Sequence, residues 1–451
     1  MPDNSQQAPR RQFIRGLGAA GLVGLAGCTG QNSDGNGTDT GNGGGGGSNT
    51  DGGGGGGGGG TTKIKFVAPG YSGVFSEDIV PMFNEDVSGV EATTQTTTAE
   101  SSSTRKYFVN QFVSQSSDFD NGMMDVIWPA EFAKNNWIEP VNDPQNHTDA
   151  MLDTPVDAVT IDGSLVGMPL FTDANAFYYR SDKLEEYGYE PPKTYMEVVN
   201  IAQDILKRDD EINNGYIWQG GANEGLTIMW LNWLWGMGGG VRKDGKLVVN
   251  SEKGVRALAH ARALIHDYGV TPESVPASST DQNRQTFQQG NTLFMRNWPY
   301  AVGLMNAEDS PVQGKFDVVK MPKAEGHPDA NNSCLGGWNV FINRYSDNKE
   351  AAQRFASYMA SKKVQKRLAL EHNYLPVRKD IYNEENFQKN PLLETFYGAL
   401  QQTSARPASP QYTTFSSIVF NEANKALIKE KTPQEALDDA QAKIDRQVNN
   451  A

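Results

Sequence analysis

A tract of glycine and small polar residues near the N-terminus is the feature that most limits where this chain can fold. Residues 29–60 are almost all Gly, Asn, Thr, Asp and Ser, and they end in nine consecutive glycines, residues 52–60. Such a segment has little apolar surface to bury, so we expect a flexible coil with a reach on the order of 30 Å. A folded body therefore has to begin near Lys63, and its length of about 390 residues is enough for two lobes of ordinary size.

The residues before this tract have the layout of an export signal. Paired arginines, Arg10 and Arg11, precede an apolar stretch at residues 16–26, which is followed by small residues. Basic, then apolar, then small residues at a cleavage point is the order found in secretory signals. The apolar stretch is too short to span a bilayer, which takes roughly 20 residues. We therefore expect residues 1–27 to be a signal peptide.

Two short motifs refine this expectation. Residues 10–15, Arg-Arg-Gln-Phe-Ile-Arg, resemble a twin-arginine signal, which a receptor reads. Residues 25–28, Leu-Ala-Gly-Cys, resemble the lipobox of secreted lipoproteins, in which the cysteine is lipidated and becomes the new N-terminus. These motifs predict a lipid anchor at Cys28 as the sole membrane attachment, residues 28–62 as a flexible linker, and a location on the extracellular face of the cell membrane.

The charge balance excludes one class of partner. The whole chain has a net charge of −14. Residues 1–27 contain three arginines and one aspartate, so the remainder has 37 basic and 53 acidic side chains and a net charge of −16. A surface this acidic argues against nucleic acid as a partner and favours solubility. It is also compatible with a hypersaline habitat such as that of haloarchaea.

The cysteines and histidines leave little room for a metal centre or a disulfide. The chain has two cysteines, Cys28 and Cys334, so lipidation of Cys28 leaves no internal disulfide possible. With five histidines and one remaining cysteine, a transition-metal site is not expected. The spacing Gly240-x4-Gly245-Lys246 is close to a phosphate loop, but Leu247 stands where a Ser or Thr would hold magnesium. A hairpin turn is predicted there instead, and no cofactor is expected.

Alternating strand and helix patterns predict an α/β body. Short strands are predicted at residues 63–67 and 125–128. Capping boxes predict helices that begin after Thr194 and Thr432. The predicted helices span residues 194–207, 251–266 and 349–370, and a last one follows Thr432. Strands that alternate with helices indicate a mostly parallel sheet.

Aromatic and charged residues gather beside turns in a pattern that suits a carbohydrate. The flat C–H faces of a sugar ring pack on aromatic side chains. Its hydroxyls are bound by carboxylates, which accept, and by arginine, which donates. The candidates lie beside turn residues or strand ends; they are Asp125, Trp128, Glu131, Asp173, Trp298, Trp338 and Arg406.

The ordered set of these segments resembles a family 1 extracellular solute-binding protein, the capture subunit of an ABC sugar importer, and in particular the trehalose/maltose-binding type. The resemblance covers nearly all of residues 63–451. Residues 125–133 and 167–180 are the most characteristic segments. The others, in the family's order, are residues 192–197, 287–290, 336–338, 375–378 and 406–407.

This resemblance implies a two-lobed periplasmic-binding-protein-like type II fold with a hinge that the chain crosses several times. The implied first lobe comprises residues 63–171 and 319–372, and the second comprises residues 172–318 and 373–451. The crossings are expected near residues 170–175, 318–321 and 373–375. The implied protein is a monomer without catalytic activity, and it closes on a carbohydrate and delivers it to the permease subunits in the membrane.

The resemblance also assigns roles in ligand binding. Asp125, Trp128, Glu131 and Asp173 would face the sugar, although Asp125 and Glu131 are not expected to bond it together. Trp298 and Trp338 would be stacking platforms, and Gly337 would let the ligand approach the backbone. Arg406 would bond hydroxyls. The residues that it implies at the ligand are Tyr71, Asp125, Trp128, Glu131, Asp173, Trp298, Gly337, Trp338 and Arg406. The loop at residues 70–72 departs from the acidic loop of the trehalose type, so the sugar is left open.

Two other functions fit parts of the same pattern. A secreted glycoside hydrolase also has pairs of acids flanked by aromatic residues, with two carboxyls roughly 5–5.5 or 6.5–9.5 Å apart. A binding protein of the same fold could take a polyamine, a glycerol phosphate or iron instead. Polyamines suit the acids and aromatic residues, whereas a glycerol phosphate would need more cationic residues than Arg406.

Overall fold

The computed structural model describes residues 60–71, 73–407 and 409–450, and its architecture rests on two β-sheets. The signal peptide, Cys28 and nearly all of the predicted linker lie outside these residues. The strands are β1 (Thr62–Ala68), β2 (Val90–Thr96), β3 (Asn121–Asp125), β4 (Ile138–Glu139), β5 (Thr160–Ile161), β6 (Ser164–Leu165), β7 (Met168–Ala174), β8 (Ala176–Arg180), β9 (Asn214–Ile217), β10 (Arg242–Lys243), β11 (Lys246–Leu247), β12 (Thr292–Asn297), β13 (Phe316–Lys320), β14 (Ser333–Asn343) and β15 (Thr403–Ser404).

Helices fill most of the chain between these strands. They are α1 (Val80–Asp86), α2 (Ser101–Val113), α3 (Pro129–Lys134), α4 (Asp153–Val159), α5 (Ser181–Tyr187), α6 (Tyr195–Arg208), α7 (Glu224–Gly236), α8 (Glu252–His266), α9 (Thr280–Gln288), α10 (Ala301–Met305), α11 (Lys349–Met359), α12 (Lys362–Glu371), α13 (Glu384–Lys389), α14 (Pro391–Leu400), α15 (Tyr412–Leu427) and α16 (Pro433–Ile444). Single 3₁₀ turns occur at His147–Ala150, Val275–Ala277 and Lys379–Ile381, and π-helical turns at Phe75–Ile79 and Asp445–Asn449.

The larger sheet has seven strands and is mixed. Its order is β15-β14-β3-β1-β2, and β4 and β7 also pair with β14. The pairs β1–β2, β1–β3 and β14–β15 are parallel, whereas β14 runs antiparallel to β3, β4 and β7. The smaller sheet has the order β13-β8-β12-β9, and only its β12–β9 pair is parallel.

The prediction of a mostly parallel sheet was therefore wrong. Its cause is β14, an eleven-residue strand that is buried along its whole length and returns against β3 and β7. Mixed sheets are common among larger α/β proteins, and the alternation of strands and helices does not reveal the direction of a single returning strand.

Two hydrophobic cores flank the two sheets. The first contains Phe66 and Phe341, and the second contains Phe177 and Phe294. The chain passes between them near Asn175, where β7 of one sheet leads into β8 of the other. It passes again within β14, and once more between neighbouring residues 374 and 375. The long strand β14 therefore contributes to both cores.

Local signals in the sequence located several helices correctly. The Thr194 hydroxyl accepts a hydrogen bond from Glu197 N at 3.2 Å, and the Glu197 carboxylate accepts one from Thr194 N, so this capping box is confirmed. The Thr432 capping box is confirmed in the same way, with Pro433 at the first helical position. The hairpin of β10 and β11 is also confirmed, with positive φ at both turn residues, Asp244 and Gly245.

Two predicted boundaries were wrong. The strand predicted at residues 125–128 ends at Asp125, because Pro129 starts α3 and residues 126–128 form the turn before it. The helix predicted at residues 349–370 is two helices, since Ser361 caps the second one through a hydrogen bond from Val364 N.

Candidate functional site

An enclosed cavity lies between the two hydrophobic cores, at the ends of several strands. Asp125 ends β3, Asp173 lies in β7, and Trp338 lies in β14. Trp298 follows β12, and Arg406 belongs to the segment between β15 and α15. Loops and strand ends in mixed α/β folds are common places for a ligand, because polar groups from several elements converge there.

The structure brings together seven of the nine residues predicted at the ligand. The cavity lining includes Tyr71, Asp125, Asp173, Trp298, Gly337, Trp338 and Arg406. Its volume is about 80 Å³, which is room for several waters. The cavity therefore suits a compact polar molecule.

Arg406 joins carboxylates from the two sides of the cavity. Its Nη2 donates to Asp125 Oδ1 at 3.1 Å, and its Nη1 donates to Glu224 Oε1 at 2.9 Å. The side chain is 3% exposed, so these charge-assisted bonds lie in a medium that screens poorly. Burial by itself lowers the pKa of Arg406, and the neighbouring charges, chiefly Asp125, reverse this and raise it. Arg406 therefore stays a cation.

The same guanidinium group retains one unused donor. The Nε of Arg406 is buried and has no acceptor among the described residues. A buried donor without a partner costs roughly 1–3 kcal/mol. An oxygen of a bound molecule could accept from this group and remove that cost.

Glu224, the first residue of α7, is held on all sides. Besides Arg406, it accepts from the Tyr412 hydroxyl at 2.6 Å and from the Ser416 hydroxyl. Burial raises the pKa of Glu224, while Arg406 and the two hydroxyls act against that rise. Glu224 thus orients Arg406, and its own hydrogen-bonding capacity is largely occupied by the protein.

Asp173, unlike Glu224, has no hydrogen-bond donor around its carboxyl group among the described residues. It is 8% exposed and lines the cavity, yet its carboxylate accepts no hydrogen bond from any described residue. Burial, followed by the charge of Asp125, raises the pKa of Asp173 well above its usual range. Arg296 and Arg406 act in the other direction. A carboxylate in this position is a ready acceptor for a donor on a ligand.

Two glycines of β14 allow this close arrangement. A Cβ on Gly336 would lie 2.8 Å from the Trp298 ring and 2.9 Å from the Asp173 Cβ. Gly337 has a φ of +137°, and a Cβ there would lie 2.7 Å from the Phe171 carbonyl oxygen. Glycine is the residue that tolerates both demands. The role predicted for Gly337, which is to let a ligand approach the backbone, stays a prediction.

Aromatic rings form a large part of the wall. Tyr71 contacts Tyr300 with ring centroids 5.0 Å apart and Trp338 at 6.2 Å. Trp298 is fixed from behind by Arg296, whose guanidinium carbon lies 4.3 Å from the ring centroid. Rings held in this way offer rigid apolar surfaces at little cost in entropy.

The structure gives Trp128 a different role from the one predicted. It is 1% exposed and does not line the cavity. Its ring meets Trp338 edge to face at 5.4 Å and also contacts Phe132. Trp128 therefore supports the position of Trp338, and direct contact with a ligand is not supported.

Glu131 also lies outside the cavity lining. Its carboxylate accepts from Arg105 Nε at 2.9 Å and from Arg105 Nη2, and it accepts from the Thr413 hydroxyl at 3.2 Å. The expectation that Asp125 and Glu131 do not both bond the ligand agrees with this placement, since only Asp125 faces the cavity.

Several lining residues were not foreseen from the sequence. They are Ala99, Glu100, Ser101, Phe171, Glu224, Gly225, Ile228, Thr280, Asp281, Tyr300, Gly336 and Tyr374. The sequence could have indicated Glu224, because this residue begins α7, and the rest of that helix is mostly apolar on all sides. A charged residue that starts such a helix is expected to be buried and paired.

Comparisons with known proteins agree on one family. The family model described as "Bacterial extracellular solute-binding protein" matches residues 79–395. The chain is 33% identical over 357 residues to a Deinococcus radiodurans protein named "Probable ABC transporter-binding protein", covering 77% of this chain and 84% of that one. The chain belongs to the extracellular solute-binding proteins.

Solved structures place this solute-binding protein in the two-lobed fold of maltose-binding proteins. Maltose-bound MalE3 of T. maritima aligns with a TM-score of 0.80 and 31% identity, over 86% of this chain and 100% of that one. A solute-binding protein of Agrobacterium radiobacter in complex with ribitol aligns with a TM-score of 0.75 over 86% of this chain and 99% of that one. At 21% identity, this second match shows the fold alone.

The described part of the chain contains neither a cluster of metal-binding side chains nor a membrane-spanning helix. Within residues 60–71, 73–407 and 409–450, no group of three or more His, Cys, Asp or Glu side chains is placed to hold a metal ion. None of the helices described for this solute-binding protein is long and apolar enough to cross a membrane.

Replacing Asp173 with asparagine should stabilise the ligand-free protein at pH 7. At about pH 3 the carboxyl is largely protonated in both the folded and the unfolded chain, so the two proteins should be similar in stability. As the pH rises, the unfolded chain releases its proton while the raised pKa of Asp173 in the fold resists release, so the unmodified protein loses stability relative to Asp173→Asn. We expect a difference of about 1–3 kcal/mol at pH 7, measured by urea unfolding at both pH values.

The exposed residue Asp309 offers a matched control. Asp309→Asn should change the free energy of unfolding at neither pH, because that carboxylate is fully solvated. A variant at Asp173 that is less stable than the unmodified protein at pH 7 would contradict the assignment of Asp173 as an uncompensated buried acid.

Proposed function

We propose that this protein captures a sugar or polyol outside the cell and hands it to the membrane permease subunits of an ABC importer. In this function it acts as a monomer, without catalysis and without a cofactor. The observation that carries the proposal is the enclosed cavity, whose wall combines aromatic rings with buried hydrogen-bonding groups from both sides.

The chemistry of the wall supports a polyhydroxylated ligand. Rings such as Trp298 and Trp338 can pack against the C–H faces of a sugar. Asp173 can accept from hydroxyls, and Arg406 Nε can donate to a ring or hydroxyl oxygen. Micromolar affinity corresponds to about −8 kcal/mol, which one or two stacked rings and a few such bonds can supply.

We also propose that the ligand is held by closure of two lobes. The lobes follow the bounds inferred from the sequence, residues 63–171 with 319–372 and residues 172–318 with 373–451, except that the second crossing moves from residues 318–321 into β14, because β13 pairs with β8 in the smaller sheet. Two polar contacts join the lobes around the cavity. They are Arg406 with Asp125 and Thr413 with Glu131. A ligand that bridges both walls stabilises the closed state over the open one.

The N-terminal motifs support the proposed attachment. An export signal at residues 1–27, lipidation of Cys28 and a linker to residue 62 would keep the binding body beside its permease. The extracellular character of the family supports this location.

Removing the Arg406 charge should open the cleft. In Arg406→Met, the buried carboxylates of Asp125 and Glu224 lose their cation, which costs the closed arrangement about 3–5 kcal/mol. Opening returns both groups to water, so small-angle scattering should give a larger radius of gyration for the ligand-free variant. Arg208→Met removes an exposed ion pair with Asp204 and should leave the scattering curve unchanged. Identical curves for Arg406→Met and the unmodified protein would contradict the proposed role of Arg406.

Calorimetric titration against monosaccharides, disaccharides and linear polyols should reveal saturable binding with at least one of them. The chain without its signal peptide is used for this experiment, which should include putrescine and glycerol 3-phosphate. Silence across the sugars and polyols would refute the proposed ligand class. Release of a sugar from an oligosaccharide during incubation would refute the absence of catalysis.

Two carboxylate variants sharpen the same titration. Asp125→Asn should weaken the best sugar by roughly tenfold to a hundredfold, since charge-assisted bonds contribute about 1.5–3 kcal/mol each. Glu131→Gln should change its affinity by less than about twofold, because Glu131 lies outside the cavity lining. The reverse order of effects would contradict the placement of these two residues.

Mass spectrometry of the mature N-terminus tests the anchor. The full chain, produced in a host that exports and lipidates such proteins, should yield a membrane-associated form that begins at a lipid-modified Cys28. Cys28→Ser should lose the lipid and the membrane association. A mature N-terminus at another residue would refute the anchor without affecting the proposed binding function.

A further inference from the structure

The charges around the cavity do not balance. Carboxylates of five residues line it: Glu100, Asp125, Asp173, Glu224 and Asp281. Among the described residues of the lining, Arg406 is the one cation. Because a buried charge without a partner is expensive, each of these acids needs a compensating group, and the structure shows which of them has one.

Four of the five carboxylates are compensated. Arg406 donates to both Asp125 and Glu224, which have further donors in the Ser101 and Tyr412 hydroxyls. The remaining two acids lie at the start of α9. Asp281 pairs with Arg284 at 2.7 Å, and Glu100 lies beside Ser279 and Thr280, at the end of the helix where negative charge is favoured; these neighbours act against the rise in its pKa that burial causes.

Asp173 is the exception. It accepts no hydrogen bond from the described residues, and its closest compensation is the field of Arg296 and Arg406. Arg296 stacks on Trp298, donates its Nη1 to Gln219 at 2.6 Å and is not part of the cavity lining. Of the buried ionisable groups at and next to the described cavity, the carboxyls of Asp125, Asp173 and Glu224 stand against the guanidinium groups of Arg296 and Arg406. Ionisation of Asp173 therefore leaves one negative charge, and it faces the cavity.

The surroundings of Asp173 suit a cation better than a neutral donor. A hydroxyl can donate to the carboxylate, but it leaves the net charge of the closed cavity in place. A protonated amine donates the same bond and also neutralises the charge. Nearby rings such as Trp338 and Tyr71 offer electron-rich faces to a cationic nitrogen.

We propose that the ligand is a small sugar or polyol that carries one protonated amino group, and that Asp173 binds this group. The inference rests on the proposed function, whose ligand class it narrows. One amine matches the single unbalanced carboxylate, whereas a linear polyamine would bring several charges. A hydroxyl of the ligand would accept from Arg406 Nε, and the aromatic rings would pack against its C–H groups.

The test compares ligands that differ in one group. Glucose is paired with glucosamine, and sorbitol with 1-amino-1-deoxysorbitol, in calorimetric titrations near pH 6.5, where the amines are protonated. N-acetylglucosamine, which keeps the nitrogen but not the charge, and putrescine, which keeps the charge but not the hydroxyls, complete the panel. We expect at least one amine to bind tenfold or more tightly than its hydroxyl counterpart, and more tightly than N-acetylglucosamine and putrescine.

Asp173→Asn tests the residue. It should lower the affinity for the amine at least tenfold more than the affinity for its neutral counterpart, because only the amine also loses a counter-ion. Asp309→Asn, a matched change on the surface, should keep the preference. The free energy of unfolding of each variant, measured separately, confirms that a lost preference does not reflect loss of the fold.

The possible outcomes separate the two proposals. Neutral sugars that bind as tightly as the amines would overturn the amine inference and leave sugar capture standing. An amine preference that survives in Asp173→Asn would overturn the role of Asp173. If putrescine binds more tightly than every amino sugar and amino-polyol, the ligand is a plain amine and the amine inference is overturned. If no sugar or polyol of the panel binds, both proposals are overturned.

Discussion

The guanidinium group of Arg406 is the interaction on which the candidate site depends. Asp125 ends a strand of the larger sheet and Glu224 begins a helix of the second core, and neither could remain buried without a shared cation. One planar group with several donors can serve both carboxylates, which a lysine ammonium would do less well. Closure of the cleft and the orientation of the polar wall therefore have a common origin.

The strand β14 gives this interaction its frame. It pairs with both β3 and β7, so it fixes Asp125 and Asp173 relative to each other across three strands of one sheet. Its two glycines, Gly336 and Gly337, let the Trp298 ring and the Phe171 backbone approach closely. Trp338 follows directly and is supported from behind by Trp128. The aromatic wall is thus attached to the same strand that positions the acids.

The sequence predicted the parts of this structure that local chemistry determines. The capping boxes at Thr194 and Thr432 and the hairpin at Asp244-Gly245 need only neighbouring residues, and all three are confirmed. The direction of β14 depends on packing against distant elements, and the prediction of a mostly parallel sheet failed there. The break at Ser361 rests on a local cap, which the prediction of one helix over residues 349–370 overlooked. Short-range patterns cannot show which partner a buried strand will meet.

The site was predictable to a similar extent. Aromatic residues and acids beside turns indicated segments that converge on the cavity, and seven of the nine predicted residues line it. The sequence could not show that Glu131 is occupied by Arg105, or that Trp128 supports another ring, because both facts depend on residues that are distant in sequence or on side-chain direction. The sequence also could not show that Asp173 differs from the other acids of the cavity. That difference is the absence of a hydrogen-bond donor to Asp173 among the described residues, whereas Asp125 and Glu224 each have several.

That difference links stability to the proposed function. A protein selected for stability alone would have little reason to keep a buried carboxylate without a donor. In the proposed capture cycle, Asp173 penalises the closed cleft when it is empty, and a ligand that donates to Asp173 removes the penalty. Since a ligand can shift an equilibrium only by its differential affinity for the two states, this residue supplies part of that difference. Because Asp173 destabilises the closed form when it is empty, the closed form is populated mainly when a ligand is bound.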